Sequence, residues 1–168
     1  FSELHQKALS GDAEAWLDLG ALWGRGVRIT KNLKYAEACY IKSAALGNSL
    51  AAMNLSQMYR IGDGVPKNHD RFIKYLSQAA ENGHVPAQAN LGSAYLQSEA
   101  SNENTWNDAV FWLEKAAQSG DELAELNLAL AYTVMAPDGM ADTQKAIDYL
   151  RSPLAEGNAN AIKLLNLI

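Results

Sequence analysis

Gly47-Asn-Ser-Leu-Ala51-Ala-Met-Asn-Leu55-Ser-Gln-Met-Tyr59 is the stretch whose reading decides the fold. Counted from the glycine, Ala stands at four, Leu at eight and an aromatic at twelve. That spacing puts the three side chains on one face of a helix. The register recurs from Gly11, Gly83, Gly120 and Gly157, and the successive separations of the five glycines are 36, 36, 37 and 37. Position four holds Ala15, Ala51, Ala87, Ala124 and Ala161, and position eight holds Leu19, Leu55, Leu91, Leu128 and Leu165. Position nine is mostly small: Gly20, Ser56, Gly92, Ala129 and then Asn166. Position twelve holds Trp23, Tyr59, Tyr95 and Tyr132. Small residues let a second helix approach, and the aromatic fills the wider end of the gap.

A second helix precedes each following glycine. Eight residues before it stand Cys39, Tyr75, Trp112 and Tyr149, and seven before it stand Tyr40, Leu76, Leu113 and Leu150. Fifteen before it are Asn32, Asn68, Thr105 and Asp142, whose short side-chain oxygens suit a helix N-cap. The glycine suits the left-handed residue that ends the helix. The unit is thus helix A, loop, helix B, glycine turn. Helix A is expected over 12–23, 48–61, 84–97, 121–135 and 158–168, and helix B over 32–46, 68–82, 105–119 and 142–151. Residues 2–9 read as one more B helix. One pair cannot bury its apolar face alone, so the pairs must stack. The expectation is an all-α, right-handed superhelix in one helical-repeat domain over 1–168. Its repeats run over 11–46, 47–82, 83–119 and 120–156, with half repeats at 1–10 and 157–168.

Bulk properties agree. The chain has 168 residues, 48% hydrophobic and 20% charged, which is enough to bury a core. The net charge of −5 and the lack of an evident Lys/Arg cluster argue against nucleic-acid binding. No apolar run nears the ~20 residues that span a bilayer. Cys39 is the only cysteine, so a disulfide framework and a cysteine zinc site are excluded, and a buried small apolar role is expected. His5, His69 and His84 fall on different elements, without ligand spacing. Gly62-Asp-Gly64 lacks the Lys and the preceding strand of a phosphate loop. No cofactor, metal or catalytic residue is expected. The chain opens at Phe1, not Met, and reads as a processed protein or excised domain. Its apolar end, Leu164-Leu165-Asn-Leu167-Ile168, reads as truncated or covered by a partner or second copy.

Ala51 to Tyr59, then Gly62-Asp-Gly-Val-Pro-Lys-Asn68, then Tyr75-Leu-Ser-Gln-Ala-Ala80 together resemble the Sel-one-like repeat (SLR), a longer-looped relative of the tetratricopeptide repeat. The resemblance covers essentially the whole chain. There are departures. Gly24-Arg-Gly-Val27 comes two positions early, Gln97 to Asn104 replaces the glycine loop, and Pro153 should kink or end the last B helix. The resemblance implies adaptor or scaffold work on a protein or peptide partner, with a periplasmic or envelope setting favoured. It leaves two alternatives: an immunity or inhibitor protein that neutralises a toxin, and the noncatalytic region of a larger protein.

In such stacks helix A lines the concave surface. Positions three, seven, ten and fourteen after the glycine lie opposite the Ala–Leu stripe. The seventh gives Asp18, Asn54, Asn90 and Asn127. An amide ladder there could pair with a bound peptide backbone, or could bridge neighbouring helices. Gln57, Arg25 and Ile61 extend the face, and Leu123, Leu130 and Val134 make it apolar in the fourth repeat, where an anchor would fit.

Overall fold

The computed structural model describes residues 1–26, 29–98, 102–152 and 155–168, and the expected break at Pro153 lies outside them. The described residues are helical and carry no strand. They form two compact units, Phe1–His84 and Val85–Ile168. Unit 1 holds α1 (Ser2–Leu9), α2 (Ala13–Arg25), α3 (Leu33–Ala45), α4 (Ser49–Ile61) and α5 (His69–Glu81). Unit 2 holds α6 (Val85–Leu96), α7 (Glu103–Gln118), α8 (Glu122–Tyr132), α9 (Thr143–Leu150) and α10 (Ala159–Leu165). Within each unit an A helix packs on the B helix that follows it: α2 on α3, α4 on α5, α6 on α7 and α8 on α9. This is the all-α repeat of helix pairs that the glycine register implies.

The stripe explains the core. Ala15, Ala51, Ala87, Ala124 and Ala161 are buried, as are Leu19, Leu55, Leu91 and Leu128. Each such leucine contributes roughly 1.5–3 kcal/mol by leaving water. Position nine is small because the partner helix lies against it. A Cβ on Gly20 would stand 2.5 Å from the Tyr40 ring, and one on Gly92 would stand 2.5 Å from Leu113 Cγ and 2.9 Å from the Ala109 carbonyl. Cys39 is buried with Leu19 and Trp16, and burial pushes its thiol up to about 11.

The turn from B to A is three residues long, as at Leu46, Gly47 and Asn48 between α3 and α4. Gly47 sits at φ 90°, and its N–H donates to the Ala44 carbonyl at 2.9 Å. The Asn48 N–H donates to the Ser43 carbonyl at 3.1 Å, completing a Schellman closure. The Asn48 side chain then accepts from Ala51 N at 2.9 Å and caps α4. Gly120 and Asp121 repeat this arrangement, with Asp121 capping α8. Asp12 and Asn158 cap α2 and α10. The loop from A to B also has a recurring tie. The N–H groups of Asn32, Asn68 and Asp142 donate to the carbonyls of Trp23, Tyr59 and Tyr132 at 2.8–3.0 Å.

Some expected boundaries are corrected. Thr105 is not the N-cap of α7. Asn102 is, and Thr105 sits at the third helical position, closing a reciprocal capping box with it. Helix α8 stops at Tyr132 instead of 135, and the Thr133 hydroxyl donates to the Ala129 carbonyl at 2.7 Å beyond its end. Helix α10 stops at Leu165 instead of 168.

Candidate functional site

The face opposite the Ala–Leu stripe is the accessible one on each A helix. In unit 1, Asp18 and Arg25 of α2 and Ile61 of α4 are exposed, and Asn54 and Gln57 are half-buried. Gln57 accepts from Arg60 Nε at 2.9 Å, so its carbonyl is already engaged. In unit 2, Asn90 of α6 is exposed, while Asn127 and Leu130 of α8 are half-buried. Leu123 is 66% exposed and Val134 is 81% exposed. Val134 lies beyond the end of α8, because Tyr132 is that helix's last residue.

The amide ladder is not uniform. Asn127 Nδ2 donates to the Ser93 hydroxyl at 2.8 Å, joining α8 to α6. At this repeat the asparagine bridges neighbouring A helices, and Ser93 passes the bond on to the Ala89 carbonyl at 2.8 Å.

A second constellation surrounds the aromatic at position twelve. In unit 1, Tyr59 stacks on Tyr75 with ring centroids 5.8 Å apart and planes 5° apart. The Tyr59 hydroxyl donates to the Glu37 carboxylate and accepts from Arg71 Nη1 at 2.8 Å. Burial and Glu37 push the Tyr59 hydroxyl up, and Arg71 opposes them. The rim of this cluster opens on a cleft of about 420 Å³ lined by Lys34, Glu37, Tyr59, Gly64–Pro66, Asn68 and Arg71. Gly64, one of its lining residues, packs against Leu33, whose Cβ would be 2.2 Å from any Cβ placed on the glycine. Unit 2 builds a related pair. Tyr132 stacks on Tyr149 at 6.2 Å, and Lys145 Nζ lies 4.8 Å from the Tyr132 ring. Both hydroxyls face Glu114, at 3.3 and 3.5 Å. Burial first, then Glu114, pushes each tyrosine up to about 12.

Sequence reasoning missed this constellation, although a signal exists. Arg71 and Lys145 both stand twelve residues before a repeat glycine, and each lies over the tyrosine of its own pair. Charge is also unevenly divided along the sequence. Through His84 the chain has ten Lys/Arg against eight Asp/Glu, and from Val85 on it has four against eleven. A whole-chain charge of −5 averages over this contrast. Among the described residues no three His, Cys, Asp or Glu side chains converge as a metal site, and no helix is long and apolar enough to cross a membrane.

Comparison with known proteins follows the same register. The family described as Sel1 repeat matches residues 13–48, 49–84 and 85–121, more than half of the chain. A solved Sel1 repeat protein from Oxalobacter formigenes is 29% identical, with a TM-score of 0.78 over 96% of this chain and 65% of that one. The protective antigen c5321 of uropathogenic Escherichia coli, which displays an SLR fold, is 33% identical, with a TM-score of 0.73 over 88% of this chain and 31% of that one. The chitin synthase regulator SKT5 of Saccharomyces cerevisiae is 35% identical over 101 residues, which are 59% of this chain and 14% of that protein. The chain spans 14–39% of the length of the curated relatives it matches.

Proposed function

The chain belongs to the Sel1 repeat family, whose members generally mediate protein–protein interaction, and we propose that it is a scaffold holding a partner protein or peptide on the exposed faces of its A helices. One observation carries this reading. In every A helix of the two units the in-phase alanine is buried, while on the opposite side Asp18, Arg25, Ile61, Asn90, Leu123 and Val134 are exposed and Asn54, Gln57, Asn127 and Leu130 stay partly accessible. Within each unit, successive A helices present the same positions, which suits an extended ligand.

The contacts differ by unit. In unit 1, Asp18, Asn54, Gln57 and Arg25 offer polar pairing, with Ile61 as an apolar contact. In unit 2, Leu123, Leu130 and Val134 form the anchor, and Asn90 offers an amide beside it. Exposed apolar residues with a polar surround are where binding energy concentrates when a partner expels water. Asn127, already bonded to Ser93, holds α8 against α6 and so sets the spacing of that face.

Affinity capture with the chain as bait tests this. Leu123→Glu and Val134→Glu should each weaken capture of the partner at least roughly tenfold, the scale of a lost ~1.4 kcal/mol contact. Phe111→Glu, on the exposed side of α7, should capture as the parent does, and circular dichroism should show all three equally helical. Full capture by both α8-face variants would remove that face from the interface.

A further inference from the structure

We infer that the cleft bounded by α3, the loop after α4 and α5 in unit 1 is a second docking point, and that it takes the carboxylate of an acidic segment on a partner protein. This goes beyond the helix-A face and does not depend on it.

Four observations converge. First, the cleft is built and not merely open. Gly64 packs too closely on Leu33 to admit a Cβ, and buried Val65 and Pro66, which has no N–H donor, line the cleft beside it. Second, its principal cation is pre-positioned. Arg71 Nη1 is tied to the Tyr59 hydroxyl at 2.8 Å, yet the Arg71 side chain remains 57% exposed. A guanidinium has five N–H donors in a planar fork, so donors are left over for a carboxylate, which it pairs in bidentate fashion. Third, the lining is cationic in an acidic chain. Lys34 and Arg71 face one carboxylate, Glu37, which already accepts from Tyr59 and stands 4.0 Å from Arg71. Exposed Lys31 and Lys67 precede α3 and α5 and exposed Lys74 lies on α5, against the exposed carboxylates Asp63 and Asp70. Fourth, the repeat does not demand this arrangement. Unit 2 has the same tyrosine pair and a cation in the same register, but surrounds Tyr132 with Glu114 and Asp142. The same scaffold position is therefore cation-rich in one unit and carboxylate-rich in the other. Electrostatic complementarity of this kind selects partners and steers encounter.

The test is fluorescence anisotropy of the full chain with a labelled hexa-glutamate peptide, its C-terminus amidated, against hexa-glutamine. Saturable binding of the glutamate peptide alone is expected, weakening as salt rises. Arg71→Gln and Lys34→Gln should each weaken it at least roughly tenfold, while Lys163→Gln on α10 should leave it unchanged. Lys34→Gln leaves the Tyr59 cluster intact, so it separates loss of the site from loss of packing. Amide shifts on titration should centre on Gly64, Asn68 and Arg71. Equal binding of hexa-glutamine, unchanged affinity in both cleft variants, or shifts centred elsewhere would overturn the assignment. Tighter binding of a single-stranded oligonucleotide than of hexa-glutamate would overturn it as well. Loss of partner capture in the α8-face variants bears on the first surface only, so the two readings fail separately.

Discussion

Gly92 and Gly20 each stand where a Cβ would come within 2.5 Å of the partner helix, but what Gly92 meets gives less. Its neighbours are a core leucine and a backbone carbonyl, neither of which yields easily, whereas Gly20 meets a tyrosine ring. Gly92→Ala should therefore destabilise the chain by about 1–3 kcal/mol through overpacking, and Gly20→Ala by less. Urea unfolding followed by circular dichroism measures both. Tyr132 and Tyr149 make a second residue-scale prediction. Each is raised from the ordinary value of 10.0 to about 12. A raised folded value means that the stabilisation is whole below pH 10 and is lost as the pH climbs toward 12. Absorbance titration should show two tyrosines ionising last, and Glu114→Gln should bring both down. A titration in which all seven tyrosines ionise together would contradict this. His84 works in the other direction: burial lowers its pKa. Stability should fall as the pH drops from the ordinary histidine value toward that lower one, an effect His84→Gln should blunt.

At the scale of the element, the glycine–Asx turn joins two helices with three residues, the last two of them glycine and Asx. Gly47 supplies the left-handed conformation and Asn48 supplies both the closing N–H and the cap. Asn48→Ala should cost about 1 kcal/mol from the lost cap. Gly47→Ala should cost about 1–2 kcal/mol from the left-handed backbone. Thermal unfolding of the two variants and their combination checks this, with the double change expected to fall short of the sum because both act on one turn. The glycines were legible in the sequence because their spacing recurs. The Asx caps behind them are in phase too, at Asp12, Asn48, Asp121 and Asn158, but the third repeat carries His84 at that position and breaks the pattern. Thr105 falls short of the cap position for a physical reason. The third repeat's loop is altered, so counting back from Gly120 lands inside the capping box, and Asn102 holds the cap itself.

At the scale of the molecule, periodicity reveals what must be buried, because only a repeating core can stack. It reveals less about what the open faces bind. Asn127 shows the limit: its register position marks it as outward, but its amide reaches across to Ser93. The Tyr59–Glu37–Arg71 cluster shows another, since Glu37 and Arg71 lie on different B helices and meet only after folding. Charge segregation between the units was present in the sequence and disappears when the chain is summed. The central claim is that the A-helix faces hold a partner, and site-specific photo-crosslinking tests it most directly. A benzophenone amino acid placed at Leu123 should yield a discrete crosslinked protein in a lysate of the host cell, and the same group at Phe111 should yield none. Crosslinking of the same protein from Phe111, with none from Leu123, would put the partner on the opposite side of unit 2 and contradict the claim.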